Sequence, residues 1–202
     1  IHGNGGFDVI IGNPPYVEHT ALKLYTIPAD YKTKSCGNLY ANCTEHAFAL
    51  KNNQGRFGFI VPISVTCSKR MKPIQKVLTE SGTYFSNWSW RPSKLFDGSK
   101  SANLSLTILI STGEAKNYSA TYRRWNSEIR EDIFKTLSYT TMPAIASDRV
   151  LPKIGYSIEV SIYNRVSKMN NMAPRVSQSE TKYNLYYKRT GGLYWKIFTN
   201  YR

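Results

Sequence analysis

The chain is poor in cysteine, in acidic side chains and in long apolar runs, and each shortage removes a class of protein. Its three cysteines, Cys36, Cys43 and Cys67, are an odd number with no CxxC spacing. That argues against a disulfide framework and a structural zinc site, and no metal is expected; three thiols in a reducing cytoplasm fit instead. No apolar run approaches the roughly 18 residues that cross a bilayer. Ile1-His2-Gly3-Asn4 also lacks the basic-then-apolar layout of a signal peptide, so no membrane role is expected. Aspartate and glutamate total 13 against 27 lysines and arginines, a net charge of +14. A field of that sign favours polyanions, and nucleic acid is the first candidate.

What is present suffices for a core: 202 residues at 41% hydrophobic make one ordinary domain, or one and part of another. The chain does not open on Met and stops at Tyr201-Arg202 directly after an aromatic run, which suggests a piece of something longer. Its charge is uneven. Residues 1–115 hold 12 basic and 7 acidic side chains, whereas residues 116–202 hold 15 and 6, with ten of the fifteen tyrosines. Basic residues interleaved with aromatics suit a nucleic-acid surface. An aromatic cluster with Lys and Arg stems snorkelling outward would give the same pattern.

Phe7–Gly12 is a short apolar run closed by Gly and a Pro pair, the pattern of a fully buried parallel strand. Val17–Gly37 has no periodicity and reads as a long surface loop, a length usually reserved for function. From Asn38, Leu39, Cys43, Ala47 and Leu50 share a helical face, with Asn52-Asn53-Gln54-Gly55 as its stop. Gly58–Pro62 reads as a second buried strand and Ser68–Glu80 as a basic helix. Tyr84–Trp90 and Leu104–Ser111 alternate as strands, and with no helix between them they should pair antiparallel. The expected fold is therefore α/β, the C-terminal half of a doubly wound, Rossmann-like sheet over residues 1–115. A smaller, mixed α+β region over 116–202 follows. It includes helices near 128–137 and 158–169, a linker over 170–179, and strands around Gly191-Gly192.

The sharpest signal is Asn13-Pro14-Pro15-Tyr16, immediately after the first strand. Asn-Pro initiates ordinary turns. At ~5% per residue type, however, one specified tetrapeptide arises by chance on the order of once per thousand chains of this length. Its position counts as well, because open α/β sheets bind ligands at the carboxyl ends of parallel strands.

Asp8–Tyr16 resembles the catalytic motif of the DNA methyltransferases that modify N6 of adenine. The likeness continues in order. Asn38-Leu39-Tyr40, opening a helix with Glu45-His46-Ala47, is similar to the segment after their catalytic loop. Gly55–Pro62 is similar to their next strand, and Leu95-Phe96-Asp97-Gly98 to a late motif whose aromatic ring borders the target base. The nearest likeness is to large bacterial restriction–modification methylases, some of them fused to a nuclease; Arg189–Trp195 carries a fainter part of it. The resemblance implies methyl transfer from S-adenosylmethionine to an adenine swung out of double-stranded DNA.

It further implies a role for each motif residue. The adenine amine is a poor nucleophile because its lone pair is delocalised into the ring. Two acceptors, the Asn13 side-chain oxygen and the Pro14 carbonyl, would hold its N–H hydrogens and localise that pair. Pro14 and Pro15 stiffen the loop, and Tyr16 and Phe96 would pack on the ring. Phosphate contact is a weaker expectation for Lys69, Arg70, Lys72, Arg123, Arg124, Lys188 and Arg189. One departure is plain: family members bind the donor through a glycine loop and acidic residues that lie upstream of this motif, and none precedes Asn13 here. The segment is thus expected to be inactive alone and to continue into an upstream cofactor-binding half and a downstream recognition domain. The alternatives are a non-catalytic nucleic-acid-binding module with a relic motif, or the same chemistry on an RNA base or a protein glutamine.

Overall fold

The computed structural model describes residues 5–92, 96, 104–125, 130–144 and 151–167. The expected linker over 170–179, the strands near Gly191-Gly192, Lys188 and Arg189 lie outside them. The described chain is α/β. Strand β1 (Phe7–Gly12) leads through a long loop to helix α1 (Leu39–Leu50), strand β2 (Lys51–Pro62), a single helical turn α2 (Ser64–Cys67) and helix α3 (Lys72–Glu80). Strands β3 (Thr83–Pro92) and β4 (Leu106–Ser111) follow. Then come β5 (Tyr118–Ser119), β6 (Arg123–Trp125), α4 (Arg130–Ile133), β7 (Thr140–Thr141) and α5 (Ser157–Ser167).

These strands form one mixed seven-stranded sheet in the order β1-β2-β4-β3-β5-β7, with β6 also on β3. β1 and β2 are parallel, and β4 is antiparallel to both β2 and β3, so it wedges between them. β3 and β4 pair antiparallel, as the sequence led us to expect. Beyond residue 115 the chain adds to the same sheet: β5 and β6 run parallel to β3, and β7 antiparallel to β5.

One face of the sheet carries the main core. Phe57, Phe59 and Val61 of β2, Phe85 of β3 and Leu109 of β4 pack with Tyr40 and Ala47 of α1, Val65 of α2 and Ile74 and Leu78 of α3. Among the described residues the other face is covered only toward β3, where Trp88, Trp125 and Ile133 cluster and the two indoles meet edge to face at 5.6 Å. Toward β1 it is bare. Ile11, Gly58 and Ile110 form one cross-strand row, and Ile11 is 80% exposed, Val9 56% and Ile110 43%. The expectation of a fully buried first strand therefore fails. β1 is at the sheet edge, and no helix among the described residues covers its outer face, although parallel strands are ordinarily covered on both.

Three local expectations also shift. Asn52–Gly55 does not stop the helix but opens β2, where four residues oppose Asp8 alone. This is a bulge, and Gly55 fits it because a Cβ there would stand 2.5 Å from the Phe7 carbonyl oxygen. The basic helix begins at Lys72 rather than Ser68, after a 3-10 turn over Lys69–Met71, because Pro73 suits a first helical turn. On α1 the buried side is Tyr40, Ala41, Thr44 and Ala47 rather than the face through Leu39 and Leu50, and Leu50 is exposed. Thr44 is admitted to the core because its hydroxyl donates to the Tyr40 carbonyl at 2.7 Å.

Candidate active site

β1 ends at Gly12, and Asn13-Pro14-Pro15-Tyr16 leaves its carboxyl end beside the parallel carboxyl end of β2. Pro14 is buried, Asn13 and Pro15 are exposed, and Tyr16 is half-buried. The Tyr16 hydroxyl reaches two acceptors, Asn13 Oδ1 at 2.5 Å and the Ile60 carbonyl oxygen of β2 at 3.0 Å. Its ring meets that of Tyr40 edge to face, 6.4 Å between centroids, and the Tyr40 hydroxyl is 2.8 Å from Ser64 Oγ. Burial pushes the Tyr16 phenol up to about 12, so near neutral pH it is a protonated donor.

The long loop after Tyr16 is tied back onto α1. Leu39 N–H donates to the Val17 carbonyl at 2.8 Å, and His19 N–H to that of Gly37 at 2.9 Å. The Glu18 carboxylate accepts from Asn38 Nδ2 at 3.1 Å and from both terminal nitrogens of Arg70. Those hydrogen bonds, the Arg70 pair first, hold its carboxyl below the usual glutamate range. Asn38 also caps α1, its side-chain oxygen accepting from the Tyr40 N–H at 3.3 Å. Farther along, Glu45 accepts from the Lys32 and Thr33 N–H groups and the Thr33 hydroxyl. His19 Nε2 lies 2.7 Å from Asn42 Oδ1 and His46 Nδ1 3.0 Å from the Tyr31 hydroxyl. Among the described residues no group of three His, Cys, Asp or Glu could hold a metal ion.

Sequence reasoning passed over Glu18, and it named Asn38 and Ile60 only as parts of a helix start and a strand, with no place in the site. A signal existed for Glu18, one of only 13 acids and two positions beyond Tyr16. None existed for Ile60, which acts through a main-chain oxygen. Of the expected phosphate contacts, Lys69 and Arg124 are exposed and Lys72 is half-buried. Arg70 is engaged by Glu18, and Arg123 donates to the Thr136 hydroxyl and carbonyl. Trp125 is buried, which is the hydrophobic-cluster reading of that basic, aromatic stretch. Phe96 is half-buried, and none of the ring contacts among the described residues joins it to Tyr16. A cleft of about 690 Å³ is lined by α3 and by residues 115–117, 141–144 and 151, none of them from the Asn13–Tyr16 loop.

The family of the Eco57I restriction-modification methylase matches residues 1–88, the stretch that runs from the turn before β1 into β3. Over those residues the chain is similar to a restriction–modification methylase. No curated protein matches the chain. Among solved structures, it is similar to a nuclease-deletion mutant of the Type ISP restriction-modification enzyme LlaGI in complex with a DNA substrate mimic. The TM-score there is 0.51 at 17% identity over 71% of this chain, which establishes the shared fold. The chain spans 15% of that protein's length. A modification subunit of a putative type I restriction enzyme from Vibrio vulnificus YJ016 is similar at a TM-score of 0.46 and 15% identity, covering 78% of this chain and 40% of that one.

Proposed function

We propose that this chain supplies the target-base half of a DNA adenine-N6 methyltransferase of the restriction–modification type. The observation that carries the proposal is the placement of Asn13-Pro14-Pro15-Tyr16 at the carboxyl end of β1, with its side chains anchored to β2 and α1. The LlaGI-related enzyme is named with a DNA mimic, and a net charge of +14 suits the same partner better than a protein glutamine.

The chain's own part in the reaction follows from its groups. Asn13 Oδ1 and the Pro14 carbonyl accept the two N–H hydrogens of the amine and aim its lone pair. The paired prolines fix both acceptors before the base arrives, so little reorganisation remains at the transition state. The Tyr16 ring offers an apolar face on which an extruded base can stack, with Phe96 as a second wall. The donor, S-adenosylmethionine by the family's chemistry, finds no cradle among the described residues. Gly5 and Gly6 have positive φ but belong to the turn into β1, where a Cβ on Gly6 would stand 2.5 Å from the Leu50 carbonyl oxygen. The bare face and free edge of β1 fit a donor-binding half, on the same chain or another, that completes the sheet.

The test is methyl transfer from labelled S-adenosylmethionine with the donor-binding half present and absent. Label should enter adenine N6 of duplex DNA only when both halves are present, and Asn13→Ala should abolish it. Label entering RNA or a glutamine peptide in preference, or none entering any of the three, would overturn the assignment. DNA binding without any transfer would instead identify the non-catalytic module.

A further inference from the structure

The stretch Asn13–Val17 bridges two fixed points. Upstream, β1 pairs with β2 as far as Gly12, opposite Phe59. Downstream, Glu18 and Asn38 form an isolated antiparallel bridge, with the Val17 carbonyl accepting from Leu39 N–H and His19 N–H donating to Gly37. The upstream point is built into the sheet. The downstream one depends on side chains from two other elements, because the Glu18 carboxylate accepts from Asn38 at the start of α1 and from both terminal nitrogens of Arg70. Arg70 stands on a firm base, since its neighbour Met71 is fully buried in the main core. Gly37, at a φ of 68° that favours glycine, turns the loop back so that these groups meet.

We infer that the Glu18–Arg70 pair positions the candidate site: it holds the downstream end of the Asn13–Tyr16 loop, so that Asn13 Oδ1 and the Pro14 carbonyl stay where the amine is received. This inference rests on the proposed function and gives Arg70 a part other than phosphate contact. The loop is built to pass on such a hold. Pro14 and Pro15 have φ locked by their rings, so the segment has few internal joints, and a shift at Val17 is carried to Asn13 rather than absorbed. Acceptors that must meet two N–H hydrogens at once tolerate little displacement. Glu18 and Arg70 act only through the loop.

The test is kinetic, with the donor-binding half present and the assay run well below every melting temperature. Arg70→Ala should lower kcat about two- to fivefold, the rate equivalent of what a half-exposed ion pair contributes, and leave the KM for duplex DNA unchanged. Glu18→Ala should lower kcat at least as much, and adding Arg70→Ala to it should cost nothing further. Arg70→Lys, which keeps the charge, should retain more activity than Arg70→Ala. A raised KM with kcat unchanged, or tighter DNA binding in Glu18→Ala that Arg70→Ala reverses, would return Arg70 to phosphate contact and overturn the inference. A lowered melting temperature with kcat unchanged would reduce the pair to a structural role and overturn it equally. In the chain alone, the His19 and Leu39 amide protons should exchange about two- to fivefold faster in Arg70→Ala than in the wild type. If they do but the wild type transfers no methyl group to DNA, the proposed function fails and the hold on the loop survives. Unchanged exchange removes the hold itself.

Discussion

Arg70 grips both carboxylate oxygens of Glu18, at 2.9 and 2.7 Å, across 52 positions of sequence. Glu18 lies two residues beyond Tyr16 and Arg70 in the turn that precedes α3, so one ion pair ties the loop carrying the candidate site to the helical layer. Through Asn38 the same carboxylate also touches the start of α1. The guanidinium is thus engaged within the fold, whereas Lys69 beside it is exposed.

The pH dependence of this clamp has a definite sign. Glu18 has a lowered folded pKa, chiefly through Arg70, so its stabilisation is present above the unfolded glutamate value and is lost as pH falls through the folded one. Glu18→Gln should therefore melt lower than the wild type at pH 7, and the gap should close in strong acid. Both side chains are about half exposed, 49% for Arg70 and 46% for Glu18, so the contribution is about 1 kcal/mol or less, or about 2–4 °C. A gap that is unchanged at acid pH would rule out the carboxylate as its source.

Asn13→Ala, assayed with the donor-binding half present, should leave DNA affinity nearly intact and slow methyl transfer by about 10²–10³. A phosphate-dominated interface barely senses one neutral side chain, whereas the amine needs its acceptor at the transition state. Asn13→Asp should retain more activity than Ala because a carboxylate still accepts from N–H. Matched single-turnover rates in all three folded proteins would remove Asn13 from the chemistry.

Tyr16→Ala removes ring and hydroxyl together. Stacking on an aromatic ring is worth ~1–3 kcal/mol per base, so capture of an extruded base should fall about ten- to a hundredfold. Fluorescence of 2-aminopurine at the target position reports this directly. Unchanged fluorescence with lost donor binding would transfer Tyr16 to the donor site.

DNA binding by the chain alone should be weak and dominated by charge, given its net +14. Log affinity should fall with log salt at about −0.9 per neutralised phosphate. Filter binding across a salt series measures the slope, and a flat line would remove the basic residues from the interface.

The two faces of the sheet should respond differently to mutation. Phe57 is 1% exposed and packs between Phe48 and Phe59, so Phe57→Ala should cost about 3–5 kcal/mol. Ile11, at 80% exposure, should tolerate Ile11→Asp within about 0.5 kcal/mol when the chain is alone. The same substitution should weaken association with a donor-binding half. Denaturant melts of both variants decide the first point, and a large loss for Ile11→Asp alone would mean that the bare face is covered within this chain.

Patterns carried by neighbouring residues were legible in the sequence. The apolar run of β1 and its closing Asn-Pro-Pro-Tyr, the start of α1 at Asn38, the antiparallel β3–β4 pair and the three free thiols all follow from short-range chemistry. Long-range pairings were not. Nothing local tells β4 to insert between β2 and β3, leaves the outer face of β1 bare, brings Arg70 to Glu18, or places the Ile60 carbonyl over the Tyr16 hydroxyl 44 residues away. The physical reason is that side-chain periodicity records which face of an element is apolar, whereas strand order, register and main-chain acceptors are fixed only when the elements close on one another.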